Sequence, residues 1–210
     1  MSHLVWDTAR AAGFTTFLLL TLSVALGLVL SARWKGRGWP RFVTNELHRF
    51  ATLLALVFLG IHVAAVWIDP FTHFGAAAVL VPLAGNYRPA WTALGIVGLY
   101  LVLAIWVSTL LRRVIGYAWW RRLHGLAFVL YGFAFLHGVG AGSDSGTTWG
   151  AAIYFGSLTL IGALTVWRVI AVDQLQRTSR SNVTTSRRTR PSTGVSRSSP
   201  AETSGSASQA

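Results

Sequence analysis

Uncharged apolar runs alternate with short basic clusters along the first 172 residues, and five of the runs are long enough to cross a bilayer. They cover roughly residues 11–31, 45–68, 90–111, 122–141 and 150–172. Each holds about 20 residues, the length a helix needs to span roughly 30 Å of hydrocarbon. Between Arg49 and Arg88 the only formal charge is Asp69, and between Arg122 and Arg168 it is Asp144. The pattern predicts an all-α integral membrane protein, a bundle of about five transmembrane helices. The first run is long for the apolar core of a signal peptide, and residues 1–10 carry one acid and one base. It is therefore expected to be an uncleaved span.

Two regions do not fit a span. Residues 70–89 contain Phe71, Phe74 and an apolar run of about nine residues broken by Pro82, too short to cross. This segment is expected to lie on the membrane or to cap the bundle externally. From Gln174 onward the chain is Ser, Thr, Arg and Gly with almost no large apolar residue. Such a composition cannot bury a core and predicts a disordered tail. The domain layout is thus a membrane domain over residues 1–172 and a basic tail over 173–210.

Composition sharpens this reading. The chain is 53% hydrophobic and only 11% charged, against about a quarter charged in a typical soluble domain. Its net charge of +12 lies in loop clusters and the tail, a distribution that reads as topology and attraction to a membrane surface; no nucleic-acid face is expected. Arg33, Lys35, Arg37 and Arg41 fill the first connection, and Arg112, Arg113, Arg121 and Arg122 the third. Arg177, Arg180, Arg187, Arg188, Arg190 and Arg197 lie in the tail, while the second and fourth connections are nearly free of basic residues. By the positive-inside rule the basic loops and tail are cytoplasmic and the N-terminus is outside, in a multi-pass cell-membrane protein. There is no cysteine, which excludes disulfides, thiolate metal sites and covalent c-type haem attachment.

Four of the six histidines lie inside spans. His48 and His62 are fourteen residues apart on the second, and His124 and His137 thirteen apart on the fourth. Each separation is roughly 20 Å along a helix. With one span between them the two helices run in the same direction, so His48 pairs in level with His124 near the inner face, and His62 with His137 near the outer face. Two level imidazole pairs on facing helices suit two stacked bis-histidine haem sites. One feature fits less well. Fourteen residues leave two side chains about 40° apart around an ideal helix, but thirteen leave them about 140° apart. Tilt, a local bulge or laterally offset haems would accommodate the second pair.

Other residues near the histidines are candidates for supporting roles. Gly60, Gly125, Gly132, Gly138 and Gly140 offer room for a flat macrocycle, although small residues also serve helix packing. Arg49, Arg121 and Arg122 could meet the propionates of an inner haem, and Tyr87 with Arg88 those of an outer one. Phe58, Trp106, Phe128, Tyr131 and Phe133 lie at mid-membrane depth and could fill the space between haems. Trp34, Trp39, Trp91, Trp119 and Trp120 read as an interfacial aromatic belt. His3 and His73 lie outside the spans and read as ordinary solvent or interface histidines.

The stretches Leu47-His48-Arg49-Phe50 to Gly60-Ile61-His62-Val63, and Arg121-Arg122-Leu123-His124-Gly125 to Leu136-His137-Gly138, resemble the ferric reductase-like transmembrane domain family. That family includes the membrane parts of NADPH oxidases and ferric reductases and the haem subunit of the periplasmic methionine sulfoxide reductase. The resemblance implies two b haems, with iron held by His48 and His124 at the inner site and by His62 and His137 at the outer. NADPH oxidases and ferric reductases continue into FAD- and NADPH-binding domains; here no Gly-rich phosphate loop or βαβ pattern occurs. The resemblance is therefore to stand-alone haem subunits of an oxidoreductase, which receive electrons from a separate flavoprotein or from quinol and pass them to an external acceptor. Flavin would enter only through a partner. The rival expectations are a haem-binding membrane sensor or assembly factor, and a transporter holding copper or zinc on the same histidines. The second suffers from a lack of Asp, Glu, Cys or Met among them.

Overall fold

The computed structural model describes residues 2–32, 40–69 and 75–188, with backbone alone from 174 onward, and among them the only regular structure is helical. The helices are α1 (Ser2–Ser31), α2 (Arg41–Ile68), α3 (Ala76–Leu80), α4 (Pro89–Leu110), α5 (Arg112–Ile115), α6 (Tyr117–His124), α7 (Ala127–Ala141) and α8 (Thr148–Arg188). Five stretches are long and apolar enough to cross a membrane: α1, α2, α4, the combined α6–α7 and the first part of α8. They coincide with the five runs of the sequence.

The differences lie at the ends and in the fourth span. The first helix starts nine residues before the expected position, since residues 2–10 hold neither Gly nor Pro and Asp7 pairs with Arg10 one turn on, at 3.1 Å. Proline opens α4 at its first position, where the missing N–H costs nothing. Among the described residues of the segment after α2 the one helix is the short α3, and the chain then turns through Leu83 and Arg88, both with positive φ (69° and 43°). Residues 70–74 and 33–39 lie outside the described residues, and with them Phe71, His73, Phe74, Trp34, Trp39, Arg33, Lys35 and Arg37. Composition placed loss of order at Gln174, yet the backbone stays helical to Arg188. No glycine or proline occurs between Ala163 and Arg188 to stop it. The chain divides into two units, Met1–Val172 and Asp173–Ala210; residues 189–210 of the second lie outside the described residues.

Within the first unit α1 packs along α2, and α4 along α7, while α1 also touches α7. A buried cluster joins Phe17, Val24 and Leu28 of α1 to Tyr131 of α7 and to Tyr154 and Ile161 of α8. Around it Leu53, Val57 and Trp67 of α2, Leu103 and Trp106 of α4 and Val166 and Val169 of α8 are exposed. An apolar exterior of this extent is unfavourable in water and costs nothing in hydrocarbon, so the environment that suits this surface is a bilayer.

Candidate cofactor site

The histidines of α2 meet those of the fourth span at two levels. The ring centres of His48 and His124 are 6.1 Å apart and those of His62 and His137 6.3 Å, with the planes crossed at 74° and 77°. Along α2 the levels are about 21 Å apart. The thirteen-residue interval on the fourth span is reconciled by a break between α6 and α7. There Leu126 N–H donates to Leu123 O (3.0 Å) and Phe128 N–H to Gly125 O (3.3 Å), both across three residues, and Gly125 N–H is shared between Arg121 O and Arg122 O. Gly125 and Leu126 have φ near −63° with ψ of −22° and −9°. This is a short 3₁₀ step, which advances about 120° per residue rather than 100°. Three or four such residues add about 60–80°, bringing the expected 140° offset down to about 60–80°.

Three of the imidazoles are held in the same way. His48 Nδ1 is 2.9 Å from Ser23 O, His62 Nδ1 2.7 Å from Ala9 O, and His137 Nδ1 2.9 Å from Trp91 O. A backbone carbonyl can only accept, so each ring donates through Nδ1 and carries its lone pair on Nε2. This is how metal-ligating histidines are commonly oriented. Each carbonyl is followed four residues later by a glycine beside the same ring. A Cβ on Gly13 would lie 3.0 Å from the His62 ring, one on Gly27 3.7 Å from His48, and one on Gly95 2.7 Å from His137. In a helix the side chain four residues on leans back over the carbonyl. Glycine opens a notch there into which the imidazole fits. Gly13 and Gly27 are fourteen residues apart, like His62 and His48, so one antiparallel register of α1 on α2 makes both notches.

His124 differs. Its Nδ1 is buried without a hydrogen-bond partner among the described residues, and its ring stacks on Trp120 at 5.0 Å between centres. His48 has a further neighbour, Ser23 Oγ at 3.2 Å, which in turn meets Thr52 Oγ1 at 2.8 Å.

A cavity of about 260 Å³ opens between α1, α2, α4 and α7, with Ser23, Thr52, His62, Gly95 and His137 in its wall. Arg10, on the same wall, is a residue that the sequence reading missed. Its Nε donates to Asp144 Oδ2 at 2.7 Å and its NH2 to Asp144 Oδ1 at 2.5 Å, a two-pronged ion pair with a carboxylate only 12% exposed. It ties the turn that holds His62 to the loop after α7. The signal was available: Arg10 and Asp144 are isolated opposite charges at the margins of apolar runs.

Residues proposed for support fare unevenly. Arg49 lies exposed against Glu46 at 3.0 Å, and the Arg122 guanidinium lies over the Trp119 ring at 5.0 Å. Arg121 is exposed at the end of α6. Tyr87 and Arg88 donate to Ala141 O (3.1 Å) and Gly140 O (2.7 Å), serving the open carbonyls at the end of α7. Of the five glycines expected to make room, Gly138 and Gly140 are instead needed against Tyr154 and Trp91, Gly60 and Gly132 face open space, and Gly125 lies at the 3₁₀ step. Tyr131 is buried against Phe17, while Trp106 and Phe128 face outward at 42% and 48% exposure.

Each pair has the ring-centre spacing that one metal shared by two imidazoles would give. A metal about 2 Å from each Nε2, plus roughly 1 Å from nitrogen to ring centre, places two such rings about 6 Å apart. In comparisons with models of protein families, with curated proteins and with solved structures, nothing matches this chain.

Proposed function

We propose that this chain is a membrane b-type cytochrome subunit that carries two haems and conducts electrons across the bilayer. The reading is carried by one observation: two level imidazole pairs at about the spacing iron requires, with three of the four rings fixed through Nδ1 by carbonyls. His48 and His124 would hold the inner iron, and His62 and His137 the outer. Haem b, when bound between these imidazoles, would supply a one-electron couple. The chain's own work is to fix the rings, exclude water and keep the two centres in line. Electrons enter from the cytoplasmic side, from a separate flavoprotein or from quinol, and leave to an external acceptor. The orientation rests on the basic connections.

A zinc or copper site is less well supported. In the sequence no Cys or Met accompanies the four histidines to complete a metal shell. The resemblance to ferric reductase-like domains points the same way as the geometry. The test is loss by pairs: His62→Ala or His137→Ala should remove one low-spin haem, and His48→Ala the other. If His62→Ala and His137→Ala both keep two low-spin haems, the assignment of ligands is wrong.

A further inference from the structure

His62 lies on α2 and His137 on α7, so the cavity that both line is a slot between two helix pairs, α1 with α2 and α4 with α7. Its edges differ. Where α1 meets α7 the slot is shut by aromatic packing: Phe17 and Tyr131 stack at 5.7 Å between ring centres, and Tyr154 lies 5.0 Å from Phe17. At the outer end the described residues also close it. Trp6 meets Tyr87 edge-on at 6.2 Å, Arg10 clasps Asp144, and Ala78 and Val79 of α3 lie in the wall. The Tyr100 hydroxyl donates to Leu80 O and so ties α3 to α4, while α3 also packs on α2.

The edge between α2 and α4 is open. These two helices barely touch, and a second cavity of about 270 Å³ lies between them. Leu56, Leu59, Val63 and Leu99 line both cavities, so the second continues into the first. Gly60, Ala64 and Leu103 line only the second, and all three are exposed. A Cβ on Gly60 would meet nothing within 4 Å. The neighbouring exposed side chains of α2 and α4, among them Leu53, Val57 and Trp106, are apolar. That sets the opening against hydrocarbon, not water.

We propose that the gap between α2 and α4 is the entrance to the cavity, a lateral door through which a flat lipophilic ring reaches His62 and His137 edge-on from the bilayer. This rests on the haem reading above. A ring held between two axial imidazoles stands across the line that joins them, in the plane of the slot, so entry from the side needs no turn once inside. Gly60 and Ala64, about one turn apart on α2, leave the doorway clear. Its apolar lining offers water no partner, so the door stays dry while it passes molecules that dissolve in the membrane.

Haem-free full-length protein in phospholipid vesicles, given haemin dissolved in the same membrane, tests this by the rate at which low-spin haem forms. Gly60→Trp plugs the door and should slow half of the uptake about tenfold or more, the scale of forcing an extra side chain out of a filled space. Leu103→Trp, across the door on α4, should do the same, and Leu103→Ala should speed it. Gly156→Trp, at a glycine of α8 that also has open space around it and lines neither cavity, should leave the rate unchanged. A second readout needs no haem. A membrane-soluble aryl diazirine photolysed in the same vesicles should label Ile96, which is only 6% exposed in the cavity wall, and Gly60→Trp should remove most of that label. Uptake indifferent to both tryptophans overturns the proposal, as does uptake hastened by Tyr100→Phe, which unties α3 at the outer end. So does a label on Ile96 that is absent from the wild type or untouched by Gly60→Trp. Wild-type protein that takes up no haem would overturn the cytochrome reading itself, while the diazirine still decides whether the door is open.

Discussion

Three glycines, none of them adjacent to a histidine in sequence, decide how the imidazoles sit. The expectation that Gly60, Gly125, Gly132, Gly138 and Gly140 make room for a cofactor followed chain proximity. The helices that supply the notches are different ones, α1 and α4, so the relevant spacing runs between helices. It becomes legible only with the antiparallel register in hand, when the fourteen residues from Gly13 to Gly27 match those from His48 to His62. The distances rank the substitutions. Gly95→Ala would put a Cβ 2.7 Å from the His137 ring, closer than real contacts allow, while Gly27→Ala would put one at an ordinary 3.7 Å from His48. Gly95→Ala should therefore cost the outer haem or turn it high-spin, and Gly27→Ala should keep both haems low-spin. Equal haem content and equal spectra for the two variants would show that the notches do not seat the ligands.

At the scale of the element, the α6–α7 break answers the thirteen-residue interval. Sequence periodicity foresaw the problem and offered a local distortion among its solutions, but no residue pattern chose it. Gly125 was read as a space for the cofactor, whereas its place is in the 3₁₀ step that turns His124 toward His48. Helix type and approximate span were legible because apolar runs near 20 residues leave little else for a chain to do in lipid. Helix ends were less so, since α1 and α8 run on through polar residues that lack any stop signal. The step makes its own prediction. Deleting Leu126 from the 3₁₀ step would rotate His124 by about 120° relative to α7. The inner haem should be lost while the outer one stays, as read by haem content and reduced-minus-oxidised spectra. Retention of both haems would mean that the step does not set the angular position of His124.

For the whole molecule, the arrangement is two helix pairs, α1 with α2 and α4 with α7, with His62 and His137 both in the wall of the cavity between them. Neither pair closes the site alone. The Arg10–Asp144 ion pair links α1 to the loop after α7, which couples the outer ends of the two pairs. The apolar exterior calls for lipid, and the distribution of basic residues is what supports the proposed direction. Because the chain contains no cysteine, single replacements report topology cleanly. Ser145→Cys, in the loop after α7, should react with an impermeant maleimide in intact cells. Val114→Cys, 83% exposed as the native valine in the basic connection, should react only after the membrane is opened. The reverse pattern would invert the direction of electron flow assigned here.

The central claim, that the two imidazole pairs are the axial ligands of two haems, meets its most direct test in the purified wild-type protein. A dithionite-reduced minus oxidised spectrum, combined with a pyridine haemochrome count, should give close to two low-spin b haems per chain. A single haem would confine the conduit to one face of the membrane, and a colourless protein that carries zinc or copper would contradict the account outright.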